Sequence, residues 1–303
     1  MTKNDHWIIC DANCLCHRAF HAFPDLMHKD DLTGVLFGFL RDIKIFKDTF
    51  KTELIAFCFD HRGSARLDLD PGYKESRKKA YEKLKKEDPE KYEIKKEFRR
   101  QVGKLKKEYL FELGFNNVFY QDRREADDLI AMLCQSLRKT EKATIVSTDE
   151  DMWQLLGPRV RQFNPITKAI ITEKVFTERW GITPSQWSLV KAIAGCKSDD
   201  VGGVEGVGEK TAVKYITGDL LKGVKYERII SSSAQIKNNE KLVQLPFPET
   251  QEEGFYEDEI TYDKWKAFCL KFGMESLVDE FPVTEGYYKR EITKRRKLRK
   301  GDS

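Results

Sequence analysis

Short apolar runs alternate with longer helical stretches along the first half of the chain. Four of the runs are almost continuously apolar, and they cover residues 7–11, 54–60, 117–120 and 143–147. Runs of this kind are typical of strands that are buried on both faces of a parallel sheet. The pattern therefore predicts an α/β fold with a buried parallel sheet.

A long charged segment, residues 76–113, separates the second run from the third and predicts two helices. The break falls at Asp88-Pro89, where Asp88 suits a helix N-cap and Pro89 the first helical position. The apolar positions after the break form one narrow stripe, made of Phe98, Val102, Leu105 and Tyr109. A stripe this narrow suits a helix that projects from the core.

Acidic residues follow the predicted strands at the points where the strands end. Asp11 and Asp60 close the first two strands, and Asp149 follows the fourth. Ligands of open parallel sheets gather at this edge. We group five further acids with these three: Glu125, Asp127, Asp128, Asp151 and Asp199.

So many carboxylates at one edge are costly unless cations neutralise them. Oxygen-only ligands suit Mg²⁺ or Mn²⁺, and two such ions can promote phosphodiester hydrolysis. Each acidic motif alone also fits a plainer interpretation, namely a first helical turn, a helix cap or a turn. The combination of all of them favours a two-metal site.

Basic residues are concentrated in two segments, although the net charge is only +4. Residues 62–107 contain 17 basic and 9 acidic residues, and residues 289–300 contain 8 basic residues and 1 acid, which leaves the remainder with a net charge of −11. This separation suits a protein that holds both cations and a polyanion. A solvated helix face is the plainer interpretation of either run. For the tail, phosphate contacts, partner docking and a nuclear signal are the alternatives.

Cysteine usage and hydropathy exclude several classes of protein. The seven cysteines include no C-x-x-C pair, and Cys14 and Cys16 lack the further ligands of a zinc site. Neither a disulfide framework nor a zinc site is therefore favoured. Because no membrane-length apolar run and no signal-peptide pattern occur, we expect a cytoplasmic protein without a membrane segment.

A glycine-rich segment, residues 202–208, precedes a predicted helix. Its spacing matches neither a P-loop nor a dinucleotide-binding fingerprint. Glycines that open into a helix let backbone N–H groups approach a phosphate, so the segment predicts a hairpin between two helices that holds a nucleic-acid backbone. A plain turn is the alternative.

Six motifs, read in order, resemble the flap endonuclease or 5′ nuclease superfamily, and above all its stand-alone bacteriophage members, including the phage ribonuclease H type. The resemblance runs from about residue 7 to about residue 215. The motifs are Ile9-Cys-Asp-Ala-Asn13, Phe59-Asp-His-Arg-Gly-Ser-Ala-Arg66, Pro71-Gly-Tyr-Lys-Glu-Ser-Arg77, Arg124-Glu-Ala-Asp-Asp128, Ser147-Thr-Asp-Glu-Asp151 and the stretch from Ala194 to Ala212.

The resemblance implies a PIN-like nuclease core in residues 1–180, with a twisted, mostly parallel sheet flanked by helices. A helical arch is expected at about 74–113. A helical C-terminal 5′-3′ exonuclease region would cover 181–288, with a helix-three-turn-helix DNA-binding element at about 195–217. The basic tail, 289–303, would follow.

The resemblance also implies roles for individual residues. One metal ion is expected to be bound by Asp11, Asp60, Glu125 and Asp127. A second is expected to be bound or supported by Asp128, Asp149, Asp151 and Asp199. The expected catalytic cations are Lys74 and Arg66. The expected nucleic-acid contacts are Tyr73, Arg77, Lys78, Lys79, Gly206, Gly208 and Lys210, with K⁺ at the helix-three-turn-helix element.

One motif departs from the family pattern at two positions. Cys196 stands where the family has an aspartate ligand, and Asp200 stands where it has asparagine. Because a thiol is a poor ligand for Mg²⁺, we expect the second metal to bind more weakly or Asp200 to compensate in part.

The resulting hypothesis is a monomeric, metal-dependent 5′ nuclease of replication or repair. Its substrates would be branched or 5′-ended DNA and RNA primers paired to DNA, and any polymerase or other replication protein would be a separate chain. Two alternatives stay open: a catalytically weakened protein that binds DNA junctions, and a single-strand ribonuclease of the PIN type.

Overall fold

The computed structural model describes residues 5–29 and 31–282, so the predicted tail at 289–303 lies outside the described residues. The strands are β1 His6–Asp11, β2 Met27–His28, β3 Asp31–Leu32, β4 Ile55–Cys58, β5 Val118–Phe119, β6 Lys142–Val146, β7 Val160–Phe163, β8 Ile170–Ile171, β9 Gly195–Cys196 and β10 Val201–Gly202. The α-helices are α1 Ala12–Ala22, α2 Gly34–Phe50, α3 Glu75–Glu87, α4 Pro89–Lys104, α5 Leu110–Leu113, α6 Ala126–Gln135, α7 Glu173–Trp180, α8 Trp187–Ala194, α9 Glu209–Ile216, α10 Val224–Ser231, α11 Ser233–Val243 and α12 Tyr262–Lys271.

Six strands form the central sheet in the order β5-β4-β1-β6-β7-β8. Every neighbouring pair is parallel except β7 and β8, which pair antiparallel at one edge. The predicted α/β fold with a mostly parallel sheet is therefore confirmed. The chain reverses its direction of winding at β1, which pairs with β4 on one side and with β6 on the other. A crevice at the carboxyl ends of the strands is expected at such a point.

All four predicted runs form strands of this sheet, namely β1, β4, β5 and β6. Their side chains alternate between two buried layers, which explains the continuous apolar runs. Ile8 and Cys10 join a cluster with α1 and α2, whereas Trp7 and Ile9 join a cluster with α6. The sequence did not predict β7, where Arg161 and Gln162 interrupt the apolar pattern, or β8, which is only two residues long.

Two features qualify the predicted division of the chain at residue 180. A third cluster, around the fully buried Trp187, combines residues from both sides of that position. The chain then returns to the central sheet after α11: the Phe255 ring stacks on Trp7 with centroids 3.8 Å apart, and Asn117 donates to the Tyr256 carbonyl at 2.8 Å. The division at residue 180 stays a prediction.

In the part of the chain that the structure describes, no helix combines the length and the apolar character needed to cross a bilayer.

Helices α3 and α4 form a hairpin, which we call the arch. Its turn is at Asp88, whose carboxylate accepts a hydrogen bond from the Lys91 backbone at 3.1 Å, as the sequence predicted for an N-cap. The two helices meet through Tyr81, whose ring lies 5.2 Å from Tyr92 and 3.8 Å from the Arg99 guanidinium.

The arch contacts the core through the predicted apolar stripe. The Phe98 ring packs on His17 and Phe20 of α1, with centroids 4.5 and 5.1 Å away. Leu105 is buried just beyond α4, whereas α3 has no buried residue. The arch therefore projects from the core, as the narrow stripe predicted.

Candidate active site

Asp11 and Asp60 lie at the carboxyl ends of adjacent strands, and their side chains are held by hydrogen bonds. Asp11 ends β1, accepts from the backbone of α1 at 2.9 Å and accepts from the Ser147 hydroxyl at 3.0 Å. Asp60 follows β4 and accepts from the Asn13 amide at 2.7 Å and from the Ala126 backbone at 2.8 Å. The last contact holds the start of α6 against the end of β4.

Glu125 and Asp127 enter the same edge from the start of α6. Glu125 is the N-cap residue, and its Oε2 accepts from Lys74 Nζ at 2.6 Å. The same oxygen lies 3.0 Å from the Tyr73 hydroxyl. Asp127 is partly buried in the first helical turn. Together with Asp11 and Asp60, these carboxylates form what we call the first acidic group.

The second acidic group comprises Asp149, Asp151, Cys196 and Asp199. Asp149 caps the helical turn after β6 and accepts from the Asp151 backbone at 2.8 Å. Asp151, Cys196 and Asp199 each offer one ligand atom, and these atoms lie within 4.8 Å of one another. Lys191 Nζ lies 3.1 Å from Asp151 Oδ1.

The two groups adjoin at the base of the arch. The Tyr73 hydroxyl lies 3.0 Å from Glu125 Oε2 and 3.2 Å from Asp199 Oδ2, so its proton is shared between the groups. Lys74 donates its backbone N–H to the Asp199 carbonyl at 3.0 Å, and its Nζ lies 3.7 Å from Asp199 Oδ1. Lys74 has a left-handed backbone with φ of 56°, a conformation that these contacts hold in place.

Burial and mutual repulsion shift the pKa of several of these carboxyls. Burial first, and then the Asp60 carboxylate, raises the pKa of Asp11 to about 7. Burial and then Asp151 raise the pKa of Asp149 to about 6. Burial also raises the pKa of Asp60 and, with the neighbouring Asp128, of Asp127.

Neighbouring opposite charges at the arch base favour the charged forms of Glu125 and Lys74. At Glu125, burial is outweighed by Lys74 and then Arg66, which lower the pKa of the carboxyl. Burial opposes charge on Lys74 too, but Glu125 and Asp199 raise its pKa. Lys74 is therefore a charged ammonium at neutral pH.

The two groups differ in which metal their donor atoms fit. The first group offers only carboxylate oxygens, and the raised pKa values of its three aspartates mean that a bound dication would relieve the cost of ionising them together. That donor set fits Mg²⁺ or Mn²⁺. The second group includes the Cys196 sulfur, which Mg²⁺ binds poorly.

Arg66 and Asp128, predicted as a catalytic cation and a metal ligand, instead form a buried ion pair. The two guanidinium nitrogens each donate to one Asp128 oxygen at 2.8 Å, and Nε donates to the Leu242 carbonyl at 2.7 Å. Asp128 is fully buried and also accepts from the backbones of Glu125 and Phe247. Because these contacts occupy both side chains, the geometry favours a structural role for the pair.

Two other predicted roles are not supported by the positions of the side chains. Tyr73 is only 4% exposed, so its ring is not free to contact nucleic acid. The Asp200 carboxylate, expected to compensate for Cys196, accepts from the Ser76 backbone at 2.7 Å at the start of α3.

Arg77 lies exposed on α3 and donates to Asp199 at 2.9 Å. The predicted contacts Lys78 and Lys79 are exposed on the same helix.

The glycine-rich segment forms the predicted connection between two helices, α8 and α9. A side chain at Gly203 would place its Cβ 2.1 Å from the Ala194 carbonyl oxygen, so the close approach requires glycine. Gly206 has a φ of 72°. Gly208 is the N-cap of α9 and supplies no capping side chain, and Lys210 is exposed beside it.

Two clefts meet at the arch base. One, of about 770 Å³, is lined by the whole first acidic group and by Asp149 and Asp199 of the second. The other, of about 890 Å³, lies against the basic side chains of the arch. Asp60, Lys74, Arg77 and Glu125 line both clefts.

Three residues that hold the site together were not predicted from the sequence. Asn13 and Ser147 orient Asp60 and Asp11, and both occur within the quoted motifs, so their position beside strand-end acids was an available signal. Lys191 forms ion pairs with Asp151 and with Glu209 of α9, at 3.1 and 3.3 Å. No spacing in the sequence marks Lys191.

Comparisons with known proteins give the family. Residues 6–181 match the model of the "5'-3' exonuclease, N-terminal resolvase-like domain". The chain is similar to flap endonuclease Xni of Aliivibrio salmonicida, with 32% identity over 70% of the chain and 77% of the relative. It is also similar to the 5′-3′ exonuclease of Aquifex aeolicus, with 30% identity over 86% of the chain and 81% of the relative.

A solved structure of the T5 5′-exonuclease with bound zinc has the same fold. The TM-score is 0.69 at 20% identity, over 92% of this chain and all of that one. The chain also matches DNA polymerase I of Rhizobium leguminosarum and of Thermus aquaticus, but spans only 21% and 33% of their lengths. The chain belongs to the 5′-3′ exonuclease family, a class of nucleases that includes flap endonucleases.

Proposed function

We propose that this protein is a structure-specific 5′ nuclease that hydrolyses phosphodiester bonds near the 5′ ends of flaps and other branched DNA. The observation that carries the proposal is the meeting of two acidic groups at the base of a basic arch, with Tyr73 and Lys74 joining them. Family membership supports the same reaction, and relatives named flap endonuclease support the branched substrate.

The first metal ion, proposed to be Mg²⁺ or Mn²⁺, would be held by Asp11, Asp60, Glu125 and Asp127. The second would be held within the group of Asp149, Asp151, Cys196 and Asp199. When bound, such ions polarise the phosphodiester and activate water for attack on phosphorus. The P–O bond to the leaving 3′ oxygen breaks, and the 5′-phosphate remains on the product. We assign neither Arg66 nor Asp128 a role in catalysis or metal binding, because each side chain is already occupied by the ion pair with the other.

Lys74 is the residue of the chain that we expect to act on the phosphate directly. Its ammonium lies between Glu125 and Asp199 and lines both clefts, so a strand that passes from one cleft to the other runs beside it. A fixed positive charge there stabilises the charge that develops on the scissile phosphate. Ser147 and Asn13 keep Asp11 and Asp60 oriented.

The basic surfaces would position the DNA. Arg77, Lys78 and Lys79 of the arch would contact the single strand. The first N–H groups of α9 have no side-chain cap, because Gly208 precedes them, and with Lys210 they would hold a phosphate of the duplex. Four further proposals rest on the family resemblance. They are K⁺ at this element, RNA primers as substrates, a monomeric state, and separate replication proteins as partners. The seven free cysteines suit the reducing cytoplasm in which we place the enzyme.

Cleavage of a 5′-labelled flap duplex in Mg²⁺ or Mn²⁺ tests this proposal. We expect wild-type protein to release the flap, and Asp149→Ala to bind it without cutting. Asp263→Ala, which removes an exposed acid from α12, is the matched control and should cut normally. If wild-type protein binds the flap but cuts it in neither of these metals, nor in Co²⁺ or Zn²⁺, the chain is a DNA-binding protein and the nuclease proposal fails.

We expect Mn²⁺ to raise the melting temperature more at pH 8 than at pH 6. Without metal, the folded state favours the protonated Asp11 carboxyl, because its pKa is raised from 3.8 in the unfolded chain to about 7. The stability that this protonation contributes is fully present below pH 3.8 and is lost as the pH rises through about 7. Metal must also displace bound protons at pH 6, so its affinity increases with pH. Thermal denaturation with and without Mn²⁺ measures the difference. An equal or larger shift at pH 6 would contradict the assignment of Asp11 as a ligand.

A further inference from the structure

The second acidic group combines hard and soft ligand atoms. Cys196 is only 5% exposed, and its Sγ lies 3.8 Å from Asp151 Oδ2 and 3.0 Å from the Ser198 hydroxyl. The ligand atoms of Asp151, Cys196 and Asp199 all lie within 4.8 Å of one another, a spacing that one ion can span. Three protein ligands with an open position are typical of catalytic zinc sites.

The hydrogen bonds and ion pairs around Asp151, Cys196 and Asp199 leave their ligand atoms available to an ion that lies between them. Lys191 Nζ lies beside Asp151 Oδ1 at 3.1 Å, and Oδ2 is the oxygen that faces Cys196. Asp199 Oδ1 accepts a hydrogen bond from Arg77, and Asp199 Oδ2 lies 3.2 Å from the Tyr73 hydroxyl. Each of these carboxylate oxygens retains a second lone pair that can bind a metal ion. The Ser198 hydroxyl can donate to a thiolate and stabilise it.

A thiolate carries the same charge as a carboxylate, so cysteine at this position changes the softness of the donor set and not its total charge. Mg²⁺ prefers oxygen ligands and binds thiolates poorly, whereas Zn²⁺ and Co²⁺ bind sulfur, imidazole and carboxylate. The first acidic group has no sulfur ligand among its four members. The two centres therefore differ in the cation that they favour.

We propose that the second centre is selective for thiophilic divalent cations of the Zn²⁺ class over Mg²⁺, with Cys196 Sγ, Asp151 and Asp199 as direct ligands. On binding, the Cys196 thiol loses its proton to solvent and forms a metal–sulfur bond, without any change in oxidation state. The inference rests on the proposed function for the location of the metal site. It adds that the two centres take different metals.

The experiment titrates chelator-treated full-length protein with Co²⁺ and records the near-ultraviolet charge-transfer absorption of a cobalt–thiolate bond. We expect one equivalent of Co²⁺ to generate the band, Zn²⁺ to displace it stoichiometrically, and Mg²⁺ in large excess to leave it unchanged. Because loss of outer contacts to a metal ligand already costs about 10–100-fold in affinity, Cys196→Ser should weaken Co²⁺ binding at this centre by more than about 100-fold and abolish the band.

Cys14→Ser is the matched control, since Cys14 is a free cysteine that lines the cleft beside Asp11 and belongs to neither acidic group, and it should retain the band. Cys196→Asp should lose the band and bind Mg²⁺ more tightly than wild type, as measured by calorimetry. A band that is absent from wild type, persists in Cys196→Ser or is removed by Mg²⁺ overturns the inference. Flap cleavage in Mg²⁺ without a band would leave the nuclease proposal standing, whereas a band without cleavage in any metal would overturn the nuclease proposal alone.

Discussion

Lys74→Met is expected to lower the single-turnover rate of flap cleavage about 10²–10³-fold, which is the usual cost of removing one fixed donor from a developing charge. Methionine keeps the length of the side chain and removes only the ammonium. The affinity for the flap should change little, because most of the proposed phosphate contacts are assigned to exposed arch residues. Rapid-quench measurements with enzyme in excess, beside equilibrium binding, separate the two effects.

Lys83→Ala is the control for this substitution, since Lys83 is 68% exposed on the arch and its ion pair within residues 5–29 and 31–282 is with Glu87. It should weaken binding slightly and leave the rate of the chemical step unchanged. A Lys74→Met protein that binds the flap poorly but cleaves bound flap at the wild-type rate would show that Lys74 positions the DNA and does not act in the chemical step.

Arg66→Met is expected to lower the free energy of unfolding by about 3–5 kcal/mol, the cost of leaving one charge of a buried pair without its partner. Arg66 is 2% exposed and Asp128 is fully buried, so solvent cannot replace the lost contacts. Denaturant unfolding monitored by fluorescence measures the loss. The double substitution Arg66→Met with Asp128→Asn should recover part of it, because asparagine carries no charge and can still accept a backbone hydrogen bond.

This prediction separates the structural role of Arg66 from the catalytic role that the sequence resemblance implies. If Arg66→Met unfolds at the wild-type denaturant concentration but cleaves at least 100-fold more slowly, Arg66 acts on the substrate. That outcome would also return Asp128 to the set of candidate metal ligands.

The strand-end acids could be predicted from the sequence because local pattern and sheet geometry act together. A continuous apolar run identifies a buried strand, and parallel strands bring Asp11, Asp60 and the segment at Asp149 to one edge. The arch was equally accessible, since Asp88-Pro89 and the narrow apolar stripe are local signals. The strands β7 and β8 lack such signals, because a charged and an amide side chain interrupt β7 and β8 is only two residues long.

Pairings between distant residues could not be predicted from spacing. Arg66 and Asp128 are 62 positions apart, and both resemble site residues in sequence because both belong to motifs that surround the cleft. Only the packing of the turn after β4 against α6 makes them partners. Tyr73 is a similar case: the resemblance implied a contact with nucleic acid, but the chain buries the ring and directs the hydroxyl to Glu125 and Asp199.

The C-terminal part of the chain illustrates the same limit. Nothing in the pattern of residues 244–260 indicates a return to the central sheet, yet the segment stacks Phe255 on Trp7 and satisfies Asn117. These contacts depend on the shape of a surface that other elements build. The domain division at residue 180 was therefore the part of the sequence prediction least tied to a physical signal.

The most direct test of the central claim compares cleavage of a 5′ flap with cleavage of a 3′ flap built on the same duplex, in the same divalent metal. If the arch and the two acidic groups form a 5′ nuclease, the 5′ flap should be cut near its junction and the 3′ flap should stay intact, with Asp149→Ala inactive on both. Equal cleavage of the two flaps, or cleavage confined to single-stranded RNA, would contradict the account.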